Sequence, residues 1–158
     1  MLEISQDPLL IGWIIGFVDG EGCFCVSFNK KASLSRGIEV RPSFSISQNE
    51  RSRDSIDAFV EYFRGGAVRF SVGDRTYKYE TRSLTHIRSN VIPFFRQYSF
   101  KTNKQNDFLL FCEICDLMAQ GQHLNVEGLA YIIHKAYLMN EAGARKYTEA
   151  ELLSFIKP

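Results

Sequence analysis

The stretch Pro8-Leu9-Leu10-Ile11-Gly12-Trp13-Ile14-Ile15-Gly16-Phe17-Val18-Asp19-Gly20-Glu21-Gly22 sets two carboxylates at the end of an otherwise apolar run. Asp7 is a favourable N-cap, Pro8 suits a first helical position, and Gly20 and Gly22 offer an exit, so the spacing predicts a helix over 8–19. Its apolar side chains point in every direction around the axis, whereas a surface helix carries one apolar stripe. Both sides of the helix should therefore be buried. A bilayer span needs about 20 apolar residues. This run is shorter and ends in acids, so the second burying surface should be protein, with no membrane involved. Gly12 and Gly16 lie four apart on one face and permit close approach of another backbone, most naturally a second copy of the same helix. Leu9, Trp13 and Ile15 join them as the expected contact residues of a homodimer. Such pairing brings two copies of Asp19 and Glu21 together at the negative ends of the helix dipoles. Divalent cations would relieve that repulsion, and oxygen-only ligands favour magnesium or calcium over zinc.

Beyond this helix the pattern changes to a period of two. Phe24, Val26 and Phe28 alternate with Cys23, Cys25, Ser27 and Asn29, which reads as a half-buried strand over 23–29. A polar loop over 30–37 leads to a second strand over 39–47, with Val40, Phe44 and Ile46 inward and Glu39, Arg41, Ser43, Ser45 and Ser47 outward. Ile56, Phe59, Val60 and Phe63 recur at helical spacing until Gly65-Gly66. Strands over 67–72 and 77–84 flank a Gly73-Asp74-Arg75 turn. A short helix is expected near 90–97. Thr102-x-x-Gln105 reads as a capping box opening a long helix to about Ala119, with Phe108, Phe111, Cys112 and Cys115 inward. Helices near 126–139 and after Thr148-x-x-Glu151 follow. The fold class is α+β, as one domain over 1–158: an interface helix at 8–19, mainly strands with one helix over 23–84, and helices over 90–158.

The net charge of +1 hides an uneven distribution. Residues 29–104 hold 15 Lys and Arg against 7 Asp and Glu, and the remainder holds 4 against 11. A basic centre suits a phosphate-binding surface. Cys23-x-Cys25 lies on a strand and Cys112-x-x-Cys115 inside a helix, so the four thiols fit reduced, partly buried cysteines better than a zinc knuckle. His86, His123 and His134 have no metal-ligand spacing. Glu3 and Asp7 stand where a secretory signal would be positive.

Residues 14–22, IIGFVDGEG, resemble the LAGLIDADG motif of homing endonucleases, with Gly16, Asp19, Glu21 and Gly22 at matching positions. Phe44-Ser45-Ile46-Ser47-Gln48, then Gly66, then the run from Tyr98 to Phe108 match the family's later blocks in order and spacing. The resemblance implies an αββαββα core with an antiparallel DNA-binding saddle and additional C-terminal helices. It implies that Glu21 holds the metal, with Gly20 offering its backbone carbonyl, and that Asp19 has lesser catalytic weight. Gln48 matches the water-positioning polar residue just after the second strand. A lysine near the start of the long helix should act on the water network or the phosphate, and Lys101 and Lys104 both qualify. Magnesium is the implied cofactor, with calcium binding without supporting cleavage.

An outward strand face reaches base edges in the major groove because its side chains repeat every two residues. The candidates are Cys25, Ser27, Asn29 and Lys31; Glu39, Arg41, Ser43 and Ser45; and Arg69, Ser71, Lys78, Glu80 and Arg82. Arg51 or Arg53 could add phosphate contacts. No second copy of the motif occurs in the chain, so a two-site enzyme requires a homodimer. The resulting expectation is a site-specific endonuclease making metal-dependent double-strand breaks in a long, near-palindromic double-stranded DNA site. An intron in a mitochondrial, chloroplast, archaeal or bacterial genome is the implied source. An RNA-binding intron maturase or a non-cleaving DNA-binding protein on the same fold are the alternatives, and an intact Glu21 and Gln48 weigh against both.

Overall fold

The computed structural model describes residues 7–140 and 143–158. Helix α1 (Pro8–Glu21) starts where expected: Asp7 Oδ1 accepts from the Leu9 N–H at 3.0 Å, and Pro8 occupies the first turn. It runs two residues beyond the expected 8–19. Gly20 is thus inside the helix, and only Gly22, in extended conformation, ends it, donating its N–H to the Val18 carbonyl.

Strands β1 (Gly22–Lys30) and β2 (Ile38–Asn49) follow, then a 3-10 turn and helix α2 (Arg53–Phe63). Next come β3 (Ala67–Ser71) and β4 (Thr76–Thr81). The four strands are ordered β1-β2-β4-β3. β2 pairs antiparallel with β4 from Phe44↔Thr81 to Asn49↔Thr76, and β3 with β4 from Ala67↔Glu80 to Ser71↔Thr76. This αββαββα order is the expected one. Two boundaries move for a hydrogen-bonding reason. β2 continues to Asn49 because Gln48 and Asn49 still find partners in Tyr77 and Thr76. β4 stops at Thr81, so Arg82 lies past the strand, and the Ser83 hydroxyl caps a helical run by accepting from the His86 N–H. That run comprises α3 (Leu84–His86), a π-helical turn (Ile87–Val91) and α4 (Ile92–Gln97), where only a helix near 90–97 was expected. The remaining helices are α5 (Lys104–Ala119), α6 (Val126–Tyr137) and α7 (Glu149–Leu153). The expected Thr148/Glu151 capping box is formed in full.

The chain packs as two compact units, with β1 and β2 passing from one to the other. The first holds residues up to Phe24 together with 43–105. Its core is aromatic: Phe24, Phe44, Phe59, Phe63, Tyr79, Phe94 and Phe95 are fully buried. Helix α2 packs on β3 and β4. Alternation on β2 and β4 selects the side facing it, through Phe44, Ile46 and Tyr79. The second unit comprises 25–42 with 106–158. Val26, Phe28 and Ile38 are buried there, with Phe108, Phe111, Cys112 and Cys115 of α5 and Leu129, Ile132 and Ile133 of α6. All four cysteines are free thiols. Among the described residues no helix is long and apolar enough to cross a membrane.

Within its own unit α1 buries only one side. Ile14 and Val18 have no exposure, whereas Leu9, Gly12, Trp13, Gly16 and Gly20 are exposed and recur at helical spacing along the opposite side. A Cβ added at Gly12, Gly16 or Gly20 would meet nothing within 4 Å. Trp13 departs from a pure contact residue, because its ring stacks on Phe59 of its own chain at 5.2 Å. Ile15 is half-buried.

Candidate functional site

The first unit gathers the motif acids, Gln48 and both candidate lysines. Asp19, Gly20 and Glu21 occupy the last turn of α1, where backbone carbonyls lack helical partners. Gly22 is glycine for reasons of space. A Cβ there would lie 2.5 Å from Val18 Cγ1 and 2.7 Å from the Val18 carbonyl oxygen. The chain therefore turns straight from helix into strand, leaving Glu21 exposed at the junction. Among the described residues its carboxylate has no hydrogen bond and no ion pair.

Asp19 is engaged elsewhere. Its Oδ2 accepts from the Lys101 N–H at 3.0 Å and its Oδ1 from the Thr102 hydroxyl at 2.5 Å. Burial pushes this carboxyl up, but those bonds and the Lys104 charge outweigh it, leaving Asp19 below the usual aspartate value. The expected Thr102–Gln105 capping box is not formed. Thr102 spends its proton on Asp19 and accepts from the Lys104 N–H at 3.2 Å, while Gln105 Oε1 accepts from the Phe100 N–H at 2.9 Å. Sequence reading missed this clamp because Thr-x-x-Gln before a helix has a local explanation that needs no distant partner.

The two lysines part company. Lys104 is half-buried, and its Nζ donates to the Gly22 carbonyl, directly after Glu21. Lys101 contributes its backbone to Asp19 and exposes its side chain. Gln48 lies within β2, not after it, on the same side as Phe44 and Ile46, half-buried, with its Oε1 accepting from the Asn49 N–H at 2.9 Å. Arg51 and Arg53 are both exposed, and Arg53 is held by Asp57 at 3.1 Å and lies over the Tyr77 ring.

No group of three or more His, Cys, Asp or Glu that could hold a metal ion occurs among the described residues. One chain offers the Glu21 carboxylate and the Gly20 carbonyl, an all-oxygen pair suited to a hard divalent cation and incomplete by itself.

The candidate DNA-facing residues of the first unit lie on the side of the sheet away from α2. Register places Ser47, Lys78 and Arg69 in one row, and Ser45, Glu80 and Ala67 in the next. Ser43 is half-buried and Ser71 exposed. Ser45 and Glu80, expected on the outward, DNA-contacting face, are buried. Glu80 is covered by its own neighbours, with Arg82 at 2.9 Å and Lys78 at 3.7 Å. In the second unit Ser27 and Lys31 are exposed, and Cys25, Asn29, Glu39 and Arg41 half-buried. Ser27 Oγ donates to the Arg41 carbonyl at 3.4 Å. Asn29 donates to Glu39 at 3.4 Å, and Lys31 lies 3.5 Å from the same carboxylate. The Asn29 hydrogen bond, with the Lys31 and Arg41 charges, holds Glu39 below the usual glutamate value.

The family model described as LAGLIDADG endonuclease matches residues 14–115, and the chain belongs to that family. A probable intron-encoded endonuclease of Neurospora crassa is 33% identical over 80% of this chain and 28% of its own length. The chain thus spans little more than a quarter of that curated relative. Among solved structures, the archaeal intron-encoded homing endonuclease I-Vdi141I complexed with DNA aligns at TM-score 0.85 and 30% identity, over 93% of this chain and 94% of its own. The structure of I-SmaMI bound to uncleaved DNA target in the presence of calcium ions aligns at TM-score 0.81 and 29% identity, over 89% of this chain and 46% of its own.

Proposed function

We propose that this protein is an intron-encoded homing endonuclease that works as a homodimer and makes metal-dependent double-strand breaks in a long, near-palindromic DNA site. The observation that carries this reading is the end of α1. An exposed Glu21 carboxylate, without a partner among the described residues, stands beside Gly22, whose carbonyl anchors the Lys104 ammonium, on a helix whose opposite side presents Gly12 and Gly16 to open space. The DNA complexes of I-Vdi141I and I-SmaMI support DNA as the substrate, and the exposed glycine side of α1 supports pairing with a second copy.

In this reading Glu21 and the Gly20 carbonyl of each copy would hold magnesium, which would supply charge neutralisation at the phosphate and a more acidic water. Calcium is expected to occupy the same oxygens without supporting cleavage. Lys104 presents its cation where charge accumulates on the phosphate. Gln48 orients the attacking water through its amide. Asp19 positions the 101–104 segment and carries less catalytic weight than Glu21. The sheet faces, with Lys78 and Arg69 in one unit and Ser27, Asn29, Lys31 and Arg41 in the other, contact backbone and bases. A mitochondrial or other intron-bearing genome is the source favoured by the fungal and archaeal relatives.

The test is incubation with plasmid carrying the candidate intron-insertion site, with magnesium and with EDTA. Magnesium-dependent linearisation by the wild type and its loss in Glu21→Gln are expected. Full cleavage by Glu21→Gln, or no metal-dependent cleavage at all, overturns the reading; a splicing maturase or a non-cleaving DNA-binding protein gives the latter result.

A further inference from the structure

The loop between β1 and β2 is tied near both ends to Lys157, and at Arg36 also to Leu124. Arg36 Nε donates to the Leu124 carbonyl at 2.9 Å, and its Nη1 to the Lys157 carbonyl at 3.3 Å. In return the Lys157 N–H donates to the Arg36 carbonyl at 3.2 Å, and Lys157 Nζ to the Ala32 carbonyl at 2.6 Å. Gly37 closes the loop at φ +75°, a conformation side chains rarely adopt, with Lys157 and Phe155 in the place a Cβ would take, 3.3 Å away. At the loop's base Lys30 lies between the Tyr147 and Phe155 rings, 4.9 and 4.8 Å from their centroids. Inside the loop, Lys31 N–H to Gly37 O, Leu34 N–H to Lys31 O and Gly37 N–H to Leu34 O complete two turns. The residues between, 31–35, are all exposed.

A seven-residue polar loop left to itself samples many conformations, and fixing it on binding costs conformational entropy. Here four hydrogen bonds, three at Arg36 and one at Ala32, hold the loop near its two ends before anything binds. The loop follows Lys30, the last residue of a nine-residue strand that begins directly after Glu21, a length of about 30 Å. In the endonuclease reading its contacts come a full strand's length further along the chain than Glu21.

We propose that Arg36 and Lys157 are positioning residues that preset the 31–37 loop and so determine base preference at the outer end of each half-site. The proposal rests on the DNA-endonuclease reading for its consequence, but its mechanical part stands alone. Neither side chain needs to touch DNA. Lys31, Ser33 and Ser35 supply the contacts, and the clamp supplies their geometry.

Two measurements test it on the whole chain. Hydrogen exchange needs no DNA: Lys157→Met keeps the aliphatic stem over Gly37 but loses the ammonium, and should speed exchange of the Leu34 and Gly37 amides about tenfold or more. Lys157→Arg, which restores a donor to Ala32, should return it towards the wild-type rate. Unchanged exchange in both Lys157→Met and Arg36→Met overturns the proposal. The second measurement is cleavage of a DNA library randomised one base pair at a time. Lys157→Met and Arg36→Met should lose about five- to tenfold of their discrimination at the outer positions, with central preferences and cleavage rate kept. A uniform loss at all positions, or an intact outer preference, overturns it. A wild type that cuts no library member refutes the endonuclease reading instead, and the exchange result then decides the clamp.

Discussion

Thr102 donates its hydroxyl to Asp19 Oδ1 at 2.5 Å across 83 positions of sequence, and the neighbouring Lys101 N–H reaches Oδ2 of the same carboxylate at 3.0 Å. This pair joins the end of α1 to the segment that opens α5. It separates the two motif acids by task, since Asp19 is consumed by protein donors while Glu21 has none among the described residues.

Asp19→Asn should therefore weaken folding. The amide retains one acceptor and sets a second donor against the donors of the turn, at a cost of about 1–2 kcal/mol. Because the folded carboxyl lies below its ordinary value of 3.8, its stabilisation is complete above that pH and fades as pH falls through the lower folded value. Urea unfolding of both proteins between pH 7 and pH 3 checks this. Their stabilities should converge at the acid end, and a constant gap would assign the loss to something other than the charge.

The core order was legible because its signals are local. Phe24, Val26 and Phe28 alternate on β1, and Ile56, Phe59 and Phe63 recur on α2; all six are buried. Asp7 and Thr148 cap the helices they were expected to cap. What escaped reading depends on partners distant in sequence. Thr102 has a plausible local role until Asp19 stands opposite, and Gln48 reads as a strand exit until Tyr77 is seen across from it. Glu80 and Ser45 obey the alternation of their strands, yet both are buried, Glu80 beneath Lys78 and Arg82, which a period of two does not register. The two lysines show the same limit, since three residues of separation became opposite fates only through the Gly22 carbonyl.

That divergence makes a prediction. Lys104→Met removes the ammonium anchored at Gly22 and should slow single-turnover cleavage about 100-fold while changing DNA affinity in calcium by no more than about threefold. Lys101→Ala, which loses only an exposed side chain, should stay within about threefold of wild type in both. The reverse ranking would move the proposed catalytic role to Lys101.

Gly16→Leu tests the open side of α1. Nothing within 4 Å meets an added Cβ inside the chain, and leucine is a better helix former than glycine by about 0.5–1 kcal/mol. Thermal unfolding of the isolated chain at low concentration should thus be unchanged or slightly raised. Sedimentation velocity should instead show a lower dimer fraction, because the side chain would separate the two helices of the proposed dimer. A dimer fraction equal to wild type would remove the glycine face from the interface.

Tyr79 carries a hydroxyl that is buried with no hydrogen-bond partner among the described residues, while its ring packs against Phe44, Phe59 and Phe63. A buried donor left unsatisfied costs free energy that the ring's packing offsets. Tyr79→Phe deletes the hydroxyl and keeps the ring, so stability at pH 7 should be unchanged or rise by up to about 1 kcal/mol. Burial also pushes the Tyr79 phenol well above its ordinary value of 10.0. With the folded value raised, the wild type keeps full stability below pH 10 and loses it as pH climbs, because the unfolded chain releases the proton first. Tyr79→Phe lacks that component, so its margin over the wild type should widen in urea unfolding between pH 9 and pH 11. A variant less stable than wild type by more than about 1 kcal/mol at pH 7 would mean that the hydroxyl is satisfied by bound water.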